Sequence, residues 1–232
     1  MTSTDVLVVA NSTDADPGYV GERFEDRGHV LRTVLRDRDQ MPAEVPAGVG
    51  AVVLLGSEWS VHAPVRPDAL EAECELVRSA GRRGVPLLGL CYGAQVVAHA
   101  LGGSVSRATT PEIGLVYVAS SDEQLVPPGP WPAFHVDVLQ PPPAARVVAH
   151  NGCGTQAFVL PGVLAVQFHP EVRPEVLADW ARRFPGLLEQ ARVNHDDLIA
   201  QARDREPQAR LAAHTLVDAF LDRGGAGWPA RR

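Results

Sequence analysis

The stretch Pro86-Leu87-Leu88-Gly89-Leu90-Cys91-Tyr92-Gly93-Ala94-Gln95 constrains the fold of this 232-residue chain more than any other. A short apolar run delivers a cysteine between two glycines, and the residues that follow have the spacing of an amphipathic helix. Strand, sharp turn and helix in that order make a nucleophile elbow. Its turn residue is held in a strained conformation, and the glycines keep Cβ atoms out of the bend. The thiol then projects from the carboxyl end of a strand, where the helix N-terminus favours the thiolate. Gly-x-Cys-x-Gly also arises without any chemistry, because buried cysteines are ordinary core residues. The chemical reading therefore depends on finding a base and an acid elsewhere.

Both occur in Val163-Leu164-Ala165-Val166-Gln167-Phe168-His169-Pro170-Glu171, a second apolar run ending in His-Pro-Glu. His169 and Glu171 are two apart, so in an extended chain their side chains share one side. The carboxylate can then fix the imidazole tautomer and stabilise its charged form. Thiol, imidazole and carboxylate together have the logic of a catalytic triad, with Cys91, His169 and Glu171 as the candidates.

With these two motifs the chain resembles the class I, or triad, glutamine amidotransferases, whose signature is Gly-x-Cys-x-Gly-x-Gln followed much later by His-Pro-Glu. Leu54-Leu55-Gly56-Ser57-Glu58-Trp59-Ser60-Val61, Pro111-Glu112-Ile113-Gly114 and Phe134-His135-Val136-Asp137 match in the same order. The similarity is to the branch containing the amidotransferase domain of GMP synthase and its stand-alone relatives, and it runs from Asp5 to Trp180. It implies oxyanion donors at the Tyr92 N–H and the Gly56-Ser57 turn, and a contact from Gln95 to the amino-acid end of the substrate. Many relatives have Gly-Gly-Pro where this chain has Gly56-Ser57-Glu58. Glu58 and Trp59, with His135 from the later motif, are therefore the candidate substrate rim.

Strand segments, most of them unbroken apolar runs, alternate with helical segments through the first half: Asp5–Ala10, a helix over Gly18–Arg27, the strand or strand-like Val30–Leu35, Ala51–Gly56, a helix over Asp68–Gly81, Leu87–Leu90, and a helix over Gly93–Leu101. Such strands imply a parallel sheet covered on both faces, with ligands at the strands' carboxyl ends. From Ser104 to Phe168 the texture changes to short β-like runs between Pro/Gly turns: Leu115–Val118, Val136–Leu139, Val147–Ala149 and Ala157–Leu160. These predict an antiparallel layer feeding the His169 strand. Residues Pro174–Arg223 read as helices, with Leu211, Leu216, Val217, Phe220 and Leu221 at near-helical spacing, and Gly224–Arg232 as a frayed end. The expected fold is thus α/β: a flavodoxin-like, mostly parallel sheet with helices on both faces, an added antiparallel layer and C-terminal helices. Residues 1–185 are expected to form the amidotransferase-like domain, with 186–232 a helical extension packed on it.

Composition narrows the partners. With 45% hydrophobic residues the chain can bury a full core. A net charge of −7, with basic residues scattered in runs no longer than two, argues against nucleic acid and anionic membrane surfaces. No apolar run approaches membrane-spanning length and no leader precedes Asp5, so a cytoplasmic protein is expected. The three cysteines form no Cys-x-x-Cys pair, and Cys74 and Cys153 are read as chemically silent. His62, His135, Asp137 and His150 share no recognised ligand spacing beyond His135-x-Asp137, so no metal is expected. Gly50–Gly56 lacks the Lys-Ser/Thr of a P-loop, and no cofactor is required.

Three functions remain open at this stage. One is a glutaminase that supplies ammonia, or an amine from a substituted glutamine, to a separate acceptor enzyme such as a synthetase. The second is an independent hydrolase of γ-glutamyl peptides or conjugates. The third is a non-catalytic regulatory or binding protein, against which the intact Cys91, His169 and Glu171 argue. Either a monomer or a homodimer is compatible with the sequence.

Overall fold

The computed structural model describes residues 5–224; the expected fraying beyond Gly224 and the expected absence of a leader before Asp5 concern stretches outside the described residues. The apolar runs become β1 (Asp5–Ala10), β2 (Val30–Leu35), β3 (Val49–Leu54), β4 (Leu87–Leu90) and β10 (Val163–Val166). All five are parallel, in the order β2-β1-β3-β4-β10. On the far side of β10 the same sheet continues antiparallel through β9 (Gly154–Leu160), β8 (Arg146–Asn151) and the short β6 (Ala119–Ser120), making eight strands.

Only part of the expected antiparallel layer feeds the His169 strand in this way. β5 (Ser104–Val116) and β7 (Trp131–Gln140) pair with each other in a separate two-stranded sheet. Their register breaks between Arg107 and Glu112, across Pro111. Proline has no N–H to give to a ladder.

Helices cover both faces of the main sheet. On one face α1 (Gly18–Asp26) and the end of α6 (His195–Gly224) bury Phe24, Leu216, Val217 and Phe220 against β-strand residues such as Val8, Val53 and Val166. On the other, α2 (Pro67–Arg83) and α3 (Tyr92–Ala100) bury Leu76, Val77, Val96 and Val97 against Leu7, Val52 and Leu87. Removing each such side chain from water contributes about 1.5–3 kcal/mol. Leu211, grouped with the buried positions by its spacing, is instead 68% exposed.

A third apolar cluster joins α4 (Pro174–Arg183), α5 (Pro185–Ala191) and the first half of α6 to Ile113 of β5. α4 begins directly after the His-Pro-Glu loop, with proline at its first turn where the missing N–H costs nothing. The cluster thereby fixes the wall of the site described next. Among the described residues no helix is long and apolar enough to cross a membrane.

Candidate active site

Cys91 is the N-cap of α3 and has φ 49° and ψ −106°, a conformation that L-residues rarely adopt. Strain of this kind costs roughly 1–3 kcal/mol and persists only where the surroundings enforce it. Here they do: the Cys91 N–H donates to the Val166 carbonyl at 2.8 Å, tying the end of β4 to the end of β10. The flanking glycines act through space rather than through backbone freedom. A Cβ on Gly93 would lie 2.1 Å from the Leu54 carbonyl oxygen, and one on Gly89 would lie 2.8 Å from the Gly93 carbonyl.

His169 follows β10 by three residues, and its N–H is anchored on the Pro132 carbonyl of β7 at 2.8 Å. Its Nδ1 meets Glu171 Oε1 at 2.7 Å, as the spacing predicts. A carboxylate only accepts, so Nδ1 carries the proton and Nε2 is the working nitrogen. Both residues are buried. Among the described residues neither Nε2 nor Glu171 Oε2 has a hydrogen-bond partner. Burial opposes charge on the ring, but the Cys91 thiolate and then Glu171 outweigh it and hold the His169 pKa well above its usual 6.5. The charged form of the His169 ring is thus favoured beside Cys91. By contrast, burial pushes the Cys74 thiol up to about 11, and burial with the Glu112 charge does the same for Cys153.

Gly56 closes the site from β3. A Cβ there would lie 2.7 Å from His169 Cε1 and 3.7 Å from Cys91 Cβ, so only glycine lets this loop reach both side chains. Next to it, the Ser57 hydroxyl accepts the Trp59 N–H at 3.0 Å and pins the turn. Glu58 is exposed on the wall of a cavity of about 350 Å³ that Gly56, Ser57, His169 and Glu171 also line. Trp59 turns inward, half-buried against the core on the α2–α3 face.

Two other expected rim or substrate residues are engaged by protein side chains. His135 is buried, with Nε2 on Glu112 at 2.8 Å and Nδ1 on the Asp137 carbonyl at 3.0 Å; Asn151 and Gln156 complete this network on Glu112. Gln95 is 3% exposed, and its amide donates to Gln167 Oε1 at 3.4 Å, while Gln167 Nε2 lies 3.7 Å from Cys91 Sγ. Tyr92 is buried beneath the elbow, where burial and the Glu73 charge raise its phenol above the usual range.

Several residues of the site are not singled out by the sequence motifs. Gln167 has a signal, a polar residue at the end of an apolar strand. Trp180 has none: it reaches the cavity from α4, meets the His169 ring edge-on, and donates from Nε1 to Asp14 at 2.8 Å. Arg183 also holds Asp14, at 2.6 Å, and Phe134 and Phe184 complete the aromatic wall. As for metals, Glu22, Asp26 and His214 bring ligand atoms within 4.8 Å of one another where α1 meets α6, but Glu22 is already held by Arg210 and Arg173.

The model for the family "Glutamine amidotransferase class-I" matches residues 61–179, a range that contains Cys91, His169 and Glu171. The glutamine-hydrolyzing GMP synthase of Bdellovibrio bacteriovorus is 39% identical over 126 residues, 52% of this chain and 23% of that protein. A glutamine-hydrolyzing GMP synthase subunit of Sulfurisphaera tokodaii is 32% identical over 143 residues, 58% of this chain and 73% of that protein. The chain therefore spans about a quarter of the larger relative and about three quarters of the smaller. In fold it is similar to the crystal structure of a glutamine amidotransferase from Thermotoga maritima, with a TM-score of 0.84, 23% identity, and coverage of 96% of this chain and 100% of that one. A family match across just over half the chain, on a sheet of the expected topology, leads to one conclusion: the chain belongs to the class-I glutamine amidotransferase family.

Proposed function

We propose that this protein hydrolyses the side-chain amide of glutamine, or of a glutamine substituted on that nitrogen, and passes the released ammonia or amine to a separate acceptor enzyme. The observation that carries the reading is the strained Cys91 elbow held against a buried His169 whose Nδ1 is fixed by Glu171 at 2.7 Å. The resemblance to a GMP synthase subunit named for glutamine hydrolysis supports both the substrate and the separate acceptor.

In the proposed reaction the Cys91 thiolate attacks the amide carbon, and the carbonyl oxygen gathers negative charge in the resulting tetrahedral adduct. The Tyr92 N–H and the Gly56-Ser57 turn are the proposed donors to that oxygen. The adduct collapses as His169 gives its Nε2 proton to the departing nitrogen, leaving a γ-glutamyl thioester and free amine. His169 then takes a proton from water, the hydroxide attacks the thioester, and glutamate leaves as the thiolate–imidazolium pair is restored. Glu171 keeps its hydrogen bond from Nδ1 throughout and balances the imidazolium.

The cavity favours keeping a second substrate class in view. Phe134, Trp180 and Phe184 line it beside His169, giving an apolar surface that an unsubstituted amide does not need. An independent γ-glutamyl hydrolase, acting on amides with an apolar N-substituent, would use that surface.

Glutamate release by the purified protein from glutamine, glutamine γ-hydroxamate and a γ-glutamyl peptide tests both readings, with Cys91→Ala as control. Cysteine-dependent release from glutamine supports the amidotransferase reading, and rapid release from a substituted amide with glutamine poor supports the hydrolase. If Cys91 turns over none of them and resists a glutamine-like alkylating agent, both readings fall.

A further inference from the structure

Arg36 follows the edge strand β2 directly, a place where a charged side chain usually points to solvent, yet both it and Glu73 of α2 are 0% exposed. The guanidinium is fully engaged. Nε and Nη2 donate to Glu73 Oε1 at 3.2 and 3.0 Å, and Nη1 donates to Asn11 Oδ1 at 2.7 Å. The remaining bonds go to three backbone carbonyls: Val9 at 3.3 Å, Leu55 at 3.1 Å and Gly56 at 3.1 Å. The same guanidinium stands over the Tyr92 ring, 5.0 Å from its centroid. One buried cation therefore touches both the loop and the residue from which the proposed oxyanion donors come.

A buried ion pair is weak evidence of stabilisation, since well-packed apolar residues often serve as well or better. What this pair does geometrically is more specific. Gly56 C=O and Ser57 N–H belong to one planar trans peptide, in which the two dipoles point in opposite directions. With the carbonyl held on Arg36, the Ser57 N–H faces away from the guanidinium, in a turn that lines the cavity. A cation on the carbonyl oxygen also draws electron density from the amide and makes its N–H a stronger donor.

Resting on the amide-hydrolysis reading above, we propose that Arg36 is a positioning residue. It orients and polarises the Gly56–Ser57 peptide from beneath, so that the Ser57 N–H is ready for the oxyanion formed at Cys91. Arg36 touches no substrate and moves no proton.

The test compares wild type with Arg36→Met/Glu73→Met, which removes both buried charges together, and with Arg36→Lys, which keeps the charge but not the fork. Glutamine turnover, iodoacetamide alkylation of Cys91, and the Gly56 carbonyl and Ser57 amide NMR resonances are measured on each. Alkylation needs a thiolate but no oxyanion donor. The double variant is expected to lose on the order of 10–100-fold in kcat with KM nearly unchanged, since a donor is misaimed rather than deleted. Alkylation should stay within about threefold, a change too small to account for that loss. The Gly56 carbonyl resonance should move upfield as its charged partner is lost, and Arg36→Lys should recover part of kcat. A folded double variant with wild-type kcat overturns the proposal, and so does one in which kcat, KM and alkylation all fall together. If wild type turns over neither glutamine nor a substituted glutamine and Cys91 resists a glutamine-like alkylating agent, the functional reading fails on its own. Unchanged Gly56 and Ser57 resonances in the double variant would then separately refute the orienting role.

Discussion

Trp180 meets His169 edge-on, with ring centroids 4.8 Å apart and planes inclined at 66°. Its indole N–H is tied to Asp14, and Asp14 is tied to Arg183 one turn further along α4. The imidazole is thus held by Glu171 at Nδ1 and by an aromatic wall across its face.

Trp180→Ala removes that wall while leaving the Glu171 hydrogen bond. It should lower kcat by roughly 10–100-fold, the scale on which misplacing a reacting group by an ångström acts. Trp180→Phe should retain most of the activity. Steady-state kinetics of the two variants check this, and equal losses in both would mean that the indole hydrogen bond, rather than the wall, holds the ring.

Glu171→Gln keeps the shape but removes the charge that balances imidazolium and fixes the tautomer. By analogy with the aspartate of a serine-protease triad, kcat should fall by roughly 10²–10⁴-fold. With one of its two supporting anions gone, the His169 pKa should drop, so the alkaline limb of the rate profile should move to lower pH. A pH–rate profile of the variant with an unmoved alkaline limb would contradict this.

The His169 pKa stands above its unfolded value because of Cys91 and Glu171, although burial pulls the other way. Protonation therefore stabilises the fold. The contribution is complete below about pH 6.5, the unfolded value, and is lost as the pH rises through the folded one. Cys91→Ala should lower the folded pKa and move this loss to lower pH. Titrating the His169 ring protons by NMR, with urea denaturation at pH 6 and pH 9, reads both effects. A ring that titrates identically in wild type and Cys91→Ala would rule out the ion pair.

Strain at Cys91 gives a separable forecast. Glycine adopts φ 49° without a Cβ penalty and alanine does not. Strain of about 1–3 kcal/mol exceeds the roughly 0.4–1 kcal/mol that glycine loses through the unfolded chain. Cys91→Gly should therefore be the more stable of two inactive variants, by about 1 kcal/mol. Parallel urea melts of Cys91→Gly and Cys91→Ala decide it.

Gly93→Ala and Gly81→Ala should move stability in opposite directions. The new Cβ at position 93 meets the Leu54 backbone at 2.1 Å and should cost at least about 1–3 kcal/mol, while at position 81 in α2 it meets nothing within 4 Å. There it should gain up to about 1 kcal/mol in helix propensity. Denaturation midpoints of both variants provide the check.

β1, β2 and β4 can be read from the sequence to the residue because each is a short Val/Leu-rich segment set off by a turn-forming or helix-breaking neighbour: Asn11 follows β1, Gly28 lies just before β2, and Pro86 precedes β4. The elbow and the His-Pro-Glu loop are legible because their chemistry needs particular residues at short spacing. Sequence distance hides the rest. Nothing local to Ser104–Val116 shows that it pairs with Trp131–Gln140 apart from the main sheet. His135 and Gln95 carry the right chemistry, and only the fold reveals that Glu112 and Gln167 already occupy them. Arg36 looks like a surface residue because the sequence does not show the carbonyls it will find.

The order of strands also sets when the chemistry becomes available. β10 lies between β4 and β9 in the sheet, but among the described residues it is the last strand in sequence. A nascent chain that has emerged only as far as residue 160 carries the Cys91 segment without its base, and β4 is still an unpaired edge open to misassembly. When β10 slots in, one event covers that edge, supplies the Val166 carbonyl that locks the elbow, and delivers His169 beside the thiol. Long-range pairing of this kind is slow relative to local structure. The thiol therefore meets His169 only once β10 has joined the sheet.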